Sequence, residues 1–558
     1  MPRHFAAIVA RGIPVQKTNP HVLFIYPHFT ARSFWNFKET CELVGRKYPT
    51  SPLGLITVAA MLPPAWPVKL VDLNVQKLTK AHEQWADLVF IGGMIFQQPD
   101  HLRLIRYFNS LGKKVVVGGP DPTSSPHLYD EADCLVLGEA EVTFNQFLND
   151  FQAGKTRHLY SPGDQKADMR KSPLPRFELL NFKNYLHVGI QWNRGCPFLC
   201  EFCDIIELFG RVPRGKGVGQ VLLELRKLYS LGYRGHVEIV DDNFIGNKKA
   251  VKELLPHLAA WQKEKNYPFD FSTEASLNLS DDKPLMSMMR QAGFSWIFTG
   301  IETPDEETLK STHKLQNTHR SIAESVRQIN QYGMVVHAGY IVGFDQDIPG
   351  SAQALLKSIE DTSIPVSMVG LLYALPNTQL TRRLKKEGRL GASFDVPADQ
   401  AACQCTTGLN FTTLRPRMDI LKEFHRVISE SFSAEKYFGR VRRLALQLNC
   451  KGKKLNLPLS NRLREARAFF ILPFKMGYQK GLRRLYFSVI FTCLFRNPRA
   501  LNKAISLMAL YLHFGKFRGE VLARLDNEIG LLKREAETAQ RLAAQAIRER
   551  MPRPNPVL

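Results

Sequence analysis

Three thiols sit within eight residues at Cys196-Pro-Phe-Leu-Cys200-Glu-Phe-Cys203, in the pattern Cys-x3-Cys-x2-Cys. Thiolates this close together hold soft metal or an iron–sulfur cluster. A cubane has four irons, so three cysteines leave one iron open to a small molecule. The alternative is a zinc knot that takes its fourth ligand from elsewhere. Zinc sites usually show two short Cys/His pairs separated by a longer spacer. No second pair flanks this triplet; only the distant Cys403 and Cys405 could complete one.

Around the triplet the chain alternates short β-rich runs with helical ones. His21 to Tyr26 reads as a buried strand stopped by Pro27, and Pro52-Leu53-Gly54 opens an apolar helix. Strands follow at Val68–Asp72, Asp87–Gly93, Lys114–Gly119 and Cys134–Glu139, with a helix over Asp100–Asn109. That pattern predicts a doubly wound parallel sheet over residues 18–155, which binds ligands beyond the C-terminal strand ends. Gly92-Gly93 and Gly118-Gly119 fall at those ends, either as tight turns or as places where a bulky cofactor reaches the backbone. The Gly-x-Gly-x-x-Gly dinucleotide fingerprint is absent.

Residues 156–180 are polar and proline-containing and read as a linker. From 181 to 400 the strand ends are polar at regular intervals: the cysteine loop after Leu186–Gln191, Asp241-Asp242-Asn243 after Gly235–Val240, Glu274 after Phe269, and Glu302-Thr303 after Phe294. A further strand, Met334 to Phe344, carries Gly339, Tyr340 and Gly343, and Val366 to Leu371 begins the last. Polar strand ends at this rhythm predict a full or partial β/α barrel with its chemistry at the C-terminal face.

With the triplet at the first strand, this region resembles the radical S-adenosylmethionine (SAM) superfamily. The resemblance implies a [4Fe–4S] cluster on Cys196, Cys200 and Cys203, with SAM chelated to the open iron and cleaved on reduction. It implies that Asp241, Asp242 and Asn243 face SAM or substrate, that Phe202 lies near the adenine or shields the cluster from water, and that Glu274, Gly339 and Tyr340 contact SAM. Glu302 is either a SAM contact or a partner to a loop arginine. The domain before it is similar to the cobalamin-binding domain of the class B enzymes, on Pro52-Leu53-Gly54, Asp72, Gly92, Gly93, Gly118, Gly119 and Gly138-Glu139-Ala140-Glu141. The Asp-x-His-x-x-Gly string is missing, and His28, His101 and His127 lack its setting. The expectation is therefore methylcobalamin without a histidine ligand to cobalt.

The 558 residues carry a formal net charge of +23, and nine cysteines are scattered through them. An odd, dispersed set is not a disulfide scaffold; it suits a reducing cytoplasm, and no signal peptide is expected. The charge concentrates in the C-terminal region, 401–558, where Arg440 to Glu520 holds 18 Lys/Arg against Glu465 and Glu520 alone. Apolar runs interleave with it at Phe469–Phe474, Leu485–Phe495 and Ala504–Phe514. Each is too short for a spanning helix, which needs about 20 residues. They read either as core helices of an accessory domain or as interfacial helices on an anionic membrane surface. No RNA-binding motif is visible, so no nucleic-acid partner is expected. A mixed-charge helix over Val521–Arg550 and a disordered tail from Pro552 complete the reading.

Cobalamin and a deoxyadenosyl radical together imply methyl transfer to an unactivated carbon, with a flavodoxin or ferredoxin as electron donor. His28 to Phe37, Thr50 to Pro63 and the basic aromatic stretch at Leu494–Arg499 resemble the hopanoid C-2 methylase subgroup. That likeness implies an apolar, polycyclic lipid substrate and a cytoplasmic enzyme peripheral to the membrane. The rival readings are an oxidative cyclase, a nucleic-acid methylthiolating enzyme and a non-catalytic cobalamin sensor. Cys403 and Cys405 are read as buried thiols, ligands of a second cluster or hydrogen donors.

Overall fold

The computed structural model describes residues 18–29, 33–391, 408–450, 455–477 and 480–550. Cys403, Cys405 and the tail from Pro552 lie outside them. The chain divides into two compact units. The first holds residues up to 31, 46–197 and 204–270; the second holds 32–45, 198–203 and 271–558.

In the first unit six parallel strands form one sheet: β1 (Val22–Tyr26), β2 (Val68–Asp72), β3 (Leu88–Gly92), β4 (Lys114–Gly118), β5 (Cys134–Val136) and β6 (Leu159–Tyr160). Their order is β2-β1-β3-β4-β5-β6. Alternation along β1 sends Val22 and Phe24 to one face and Leu23 and Ile25 to the other. Both faces are covered, by Phe144 and Phe147 on one side and Leu104 and Phe108 on the other. Burial on both sides explains why these strands read as continuous apolar runs. The order reverses between β1 and β3, the switch point at which such sheets bind ligands. One strand differs from expectation: β6 comes from the stretch read as linker. Its Tyr160 is buried against Phe147 at 5.5 Å, and its hydroxyl accepts from the Arg157 N–H at 2.8 Å and donates to Asp150 at 3.1 Å, so one side chain anchors this two-residue strand.

The same unit continues with β7 (Val188–Ile190), a short antiparallel pair β8 (Asn193–Arg194) and β9 (Arg214–Gly215), and β10 (Gly235–Ile239), which pairs in parallel with β7.

In the second unit β11 (Phe269–Glu274), β12 (Phe294–Glu302), β13 (Val335–Val342) and β14 (Ser367–Leu371) pair in parallel in chain order. Helices Lys283–Ala292, Ile322–Gln331 and Ser351–Thr362 fill the crossovers. These are the repeated β/α units that the polar strand ends predicted. The C-terminal region is helical, with Arg417–Ser431, Ala434–Gln447, Leu459–Gly477, Lys480–Arg496 and a single 50-residue helix, Leu501–Arg550. The runs read separately at 504–514 and 521–550 are one helix, because no Gly or Pro signal strong enough to end it intervenes.

Residues 33–45 pack into this helical region. Phe34 lies against Phe432, Phe514 and Phe517, and the buried His513 meets Glu39 at 3.0 Å. Arg440, with no solvent exposure, donates to the carbonyls of Ile364 and Ser431 and to Glu360 at 2.6 Å. It thereby fixes the helical region to the chain entering β14. Arg440→Ala would strand those buried acceptors. It should lower the unfolding free energy by about 3 kcal/mol, read from the shift of the denaturant midpoint.

Candidate functional site

The approach to the first cysteine is fixed by carboxylates of the first unit. Asp241, 1% exposed, accepts the backbone N–H groups of Trp192 and Asn193 at 2.8 and 3.0 Å and the Asn193 side-chain amide at 2.7 Å. Asp242 accepts the N–H of Gly195 at 2.9 Å, and burial pushes its pKa up to about 6. Gly195 has φ +93°, and a Cβ there would stand 2.9 Å from the carbonyl oxygens of both Gly210 and Val212. Only glycine takes that conformation in that space. Asn243 directs its side-chain amide at the Cys196 sulfur, at 3.9 Å.

Arg194, the residue before that glycine, is the centre of a buried ion cluster. It donates two bonds of 2.9 Å to Glu141, one of 3.0 Å to Glu139 and one of 2.8 Å to Gln191. Arg214 joins Glu139 at 2.9 Å. Glu139 and Glu141 start the helix after β5, in the Gly138-Glu139-Ala140-Glu141 stretch read as cofactor-binding. Glu139 instead spends its oxygens on Arg194, Arg214 and the N–H of Ala167. Burial works against ionised Glu141, but Arg194 outweighs it and holds the pKa at about 2.

In the second unit the Cys200 sulfur, 7% exposed, accepts from the Gln316 amide at 3.5 Å. Glu201 beside it takes a fork of bonds from Arg383 at 3.0 and 3.1 Å, its N–H bonds the Thr312 carbonyl, and its carbonyl accepts from Leu380. Phe202 packs on Phe344 at 5.9 Å, with the Lys314 ammonium 5.9 Å from its ring. Lys314 is buried and pairs with Glu302 at 2.7 Å. Burial alone would lower its pKa; Glu302 and the thiolates of Cys200 and Cys203 raise it. Glu302 is reached through a register shift in β12 and sits at φ +66°, an uncommon conformation for a side-chain-bearing residue. Gly300 makes room: a Cβ there would lie 2.2 Å from the Glu302 Oε1. The partner expected for Glu302 was an arginine; the residue found is Lys314, twelve positions on and without a local sequence signal.

Alternation places Trp296, Phe298 and Gly300 of β12 on one face with His337, Gly339 and Ile341 of β13. Glu274, at the end of β11, is level with Phe298. Trp35 adds its ring to this face, 5.2 Å from Phe298. Tyr340 points the other way and is buried, so the structure separates it from Gly339, with which the sequence had grouped it.

At the switch end of the first sheet the remaining residues gather, since parallel strands end on one edge. Asp72 accepts from the Tyr185 hydroxyl at 2.9 Å and from Asn74, and burial raises its pKa. The glycine pairs touch each other: a Cβ on Gly119 would lie 3.0 Å from the Gly93 carbonyl oxygen, one on Gly118 2.8 Å from that of Val136, and one on Gly92 2.9 Å from Leu55. A Cβ on Gly138 would meet Pro162 at 2.4 Å. Packing within the protein thus accounts for Gly92, Gly118, Gly119 and Gly138. Gly54 alone among the singled-out glycines of this edge faces open space. It lies one residue after Leu53, which packs towards Gly189, and two after Pro52, the helix N-cap.

The donor set fits a cluster: three cysteines on one loop, with amide donors aimed at two of the sulfurs. Among the described residues no three His, Cys, Asp or Glu side chains converge on a single ion. Cobalamin fits the open glycine and the switch-point edge. His101 nearby is fully buried, and burial pushes its pKa down to about 3, so it is neutral.

The chain matches the family described as B12 binding domain over residues 43–148, the radical SAM superfamily over 190–356 and a domain of unknown function, DUF4070, over 378–527. It is 39% identical to the hopanoid C-2 methylase of Rhodopseudomonas palustris, over 69% of this chain and 75% of that one. It is 41% identical to an uncharacterised methyltransferase of Synechocystis, over 91% and 94%. In fold it is similar to the radical SAM methyltransferase TsrM of Kitasatospora setae, solved with cobalamin and a [4Fe–4S] cluster (TM-score 0.54, 16% identity, 66% of this chain and 78% of that one).

Glu141 carries the pH dependence of the Arg194 cluster. Its folded pKa is depressed from 4.5 to about 2, so its stabilisation is complete above pH 4.5 and is lost as pH falls towards 2. Glu141→Gln should cost about 3 kcal/mol at pH 7 and remove that part of the acid slope, as seen in denaturation midpoints taken between pH 3 and 6.

Proposed function

This chain belongs to the cobalamin-dependent radical SAM methyltransferases, and from that premise we propose that it methylates an unactivated carbon of an apolar polycyclic lipid of the hopanoid kind. When bound, the cluster, SAM and cobalamin supply hydrogen abstraction and methyl delivery. What the chain's own residues supply is order and exclusion of water.

Cys196, Cys200 and Cys203 are proposed to hold the cluster, and Asn243 and Gln316 to tune it through their sulfur-directed amides. Glu302 Oε1 accepts from the Lys314 ammonium. Among the described residues nothing engages its Oε2, which is free to accept from a ligand hydroxyl or ammonium; Glu274 and Phe202 are proposed as further contacts of that ligand. Asp241 is assigned to positioning, since its carboxylate holds the loop. The edge formed by Pro52, Leu53, Gly54, Asp72 and the two glycine pairs is proposed for cobalamin, with no histidine on the cobalt.

The observation that carries the substrate reading is the aromatic face of β12 and β13. Trp35, Trp296, Phe298 and Ile341 offer fused rings an apolar surface, and the Lys503 ammonium lies over the Trp296 ring at 4.0 Å. The identity to a hopanoid methylase supports it. The strongly basic chain also suits an acidic flavodoxin or ferredoxin as electron donor. Among the described residues no helix is long and apolar enough to cross a membrane.

Anaerobic reconstitution with methyl-labelled SAM, followed by mass spectrometry of extracted lipids, should show label in a polycyclic lipid. Label in no lipid, or loss of two hydrogens without methylation, would overturn the reading. Trp35→Ala should raise the KM for the lipid about tenfold or more, the worth of one aromatic surface, and leave the KM for SAM unchanged.

A further inference from the structure

We infer that the helices Leu459–Gly477 and Lys480–Arg496 are a membrane-docking hairpin that lies in the headgroup region of an anionic leaflet. This deepens the lipid-substrate reading by assigning the surface through which the enzyme reaches its substrate. It rests on that reading only for its purpose, not for its observations.

The Lys480–Arg496 helix is apolar on two opposite sides. Leu482, Tyr486, Val489 and Cys493 form its inner side and are buried. Phe487, Phe491 and Phe495, at four-residue spacing, form a second stripe on the outside, with ring centroids 6.2 and 6.4 Å apart. Phe495 is 81% exposed and Leu494 lies beside it, exposed. The Leu459–Gly477 helix packs on this one and adds Phe469, Phe470 and Phe474, the last two 67% and 79% exposed. Scattered exposed apolar residues are ordinary; six phenylalanines on two packed helices are not.

The charges on the hairpin settle which occupant suits it. Arg467, Lys475, Arg483, Arg484, Arg496 and the following Arg499 are all exposed, and among the described residues no carboxylate pairs with any of them. Aromatic rings that enter the acyl boundary, flanked by cations that stay at the phosphates, are what a surface-lying helix needs. A second copy of this face would bring like charges together, which disfavours self-association. The two helices are 19 and 17 residues long and are interrupted by arginines, so they lie on a bilayer rather than span it.

The test uses full-length, cluster-loaded protein and vesicles free of any polycyclic lipid. At low salt the protein should sediment with phosphatidylglycerol–phosphatidylcholine vesicles and remain in solution with phosphatidylcholine alone. The triple variant Phe487→Ser, Phe491→Ser, Phe495→Ser should keep the wild-type thermal midpoint and partition at least tenfold less. Arg483→Glu with Arg484→Glu should lose anionic-vesicle binding to a similar degree. Three results would overturn the inference. One is no sedimentation with anionic vesicles at low salt. Another is wild-type binding by both variants. The last is a wild-type dimer that the phenylalanine variant turns into a monomer while vesicle binding persists, which would assign the face to a second copy. Vesicle binding without lipid methylation would keep the hairpin and sink the substrate reading; methylation of detergent-dispersed lipid without vesicle binding would do the reverse.

Discussion

A buried guanidinium between two carboxylates holds the entrance to the cysteine loop. Arg194 loses most of its hydration in the first unit, and a lone buried cation would be costly there. Glu139 and Glu141, both from the start of one helix, repay that cost in a geometry the planar fork matches. Asp241 and Asp242 then fix the backbone at Trp192, Asn193 and Gly195. Four carboxylates from two strand ends thus determine where Cys196 begins. Radical chemistry demands that kind of fixity, because a ligand set held loosely by an angstrom misdirects whatever it orients.

The second unit treats its own part of the loop in the same way. Glu201 lies between Cys200 and Phe202 in the sequence and is clamped by Arg383, which also meets Asp345 at 2.8 Å; Arg389 adds a second cation to Asp345 at 2.6 Å. Burial would favour the neutral acid at Asp345, yet the two arginines keep its pKa below the usual range. Ion pairs at an exposed surface contribute little, but partly buried networks specify one arrangement of the groups they join. Here the groups joined are the residues that flank the thiolates.

The cysteine triplet, the strand positions and the polar strand ends were legible because each is a local pattern. A run such as Val22 to Tyr26 needs only its own composition to be read as a strand. The clamps were not legible, because their members are far apart in the chain: Arg383 and Glu201 are 182 residues apart, Arg194 and Glu139 55. The glycine pairs were half legible. Their strand-end positions were evident, but whether a cofactor or the neighbouring backbone required them depended on tertiary proximity, and Gly119 lies against Gly93. The docking of Phe34 and Glu39 on the 501–550 helix was likewise hidden, since a buried His513 and Glu39 look like surface residues in sequence.

Glu302 shows how strain and charge are combined beside the thiolates. A left-handed backbone at a side-chain-bearing residue costs of order 1 kcal/mol and persists only where surroundings enforce it. Lys314 supplies that enforcement: its ammonium is buried, needs an anion, and pairs directly with the Glu302 carboxylate that the strand turns towards it. Gly300 is required for the turn, since any side chain would occupy the carboxylate's place. The pair also places a cation near Cys200 and Cys203, where it offsets their negative charge. Removing the lysine would therefore disturb three things at once: the bend of β12, the ion pair that holds the Glu302 carboxylate, and the electrostatic environment of two sulfurs.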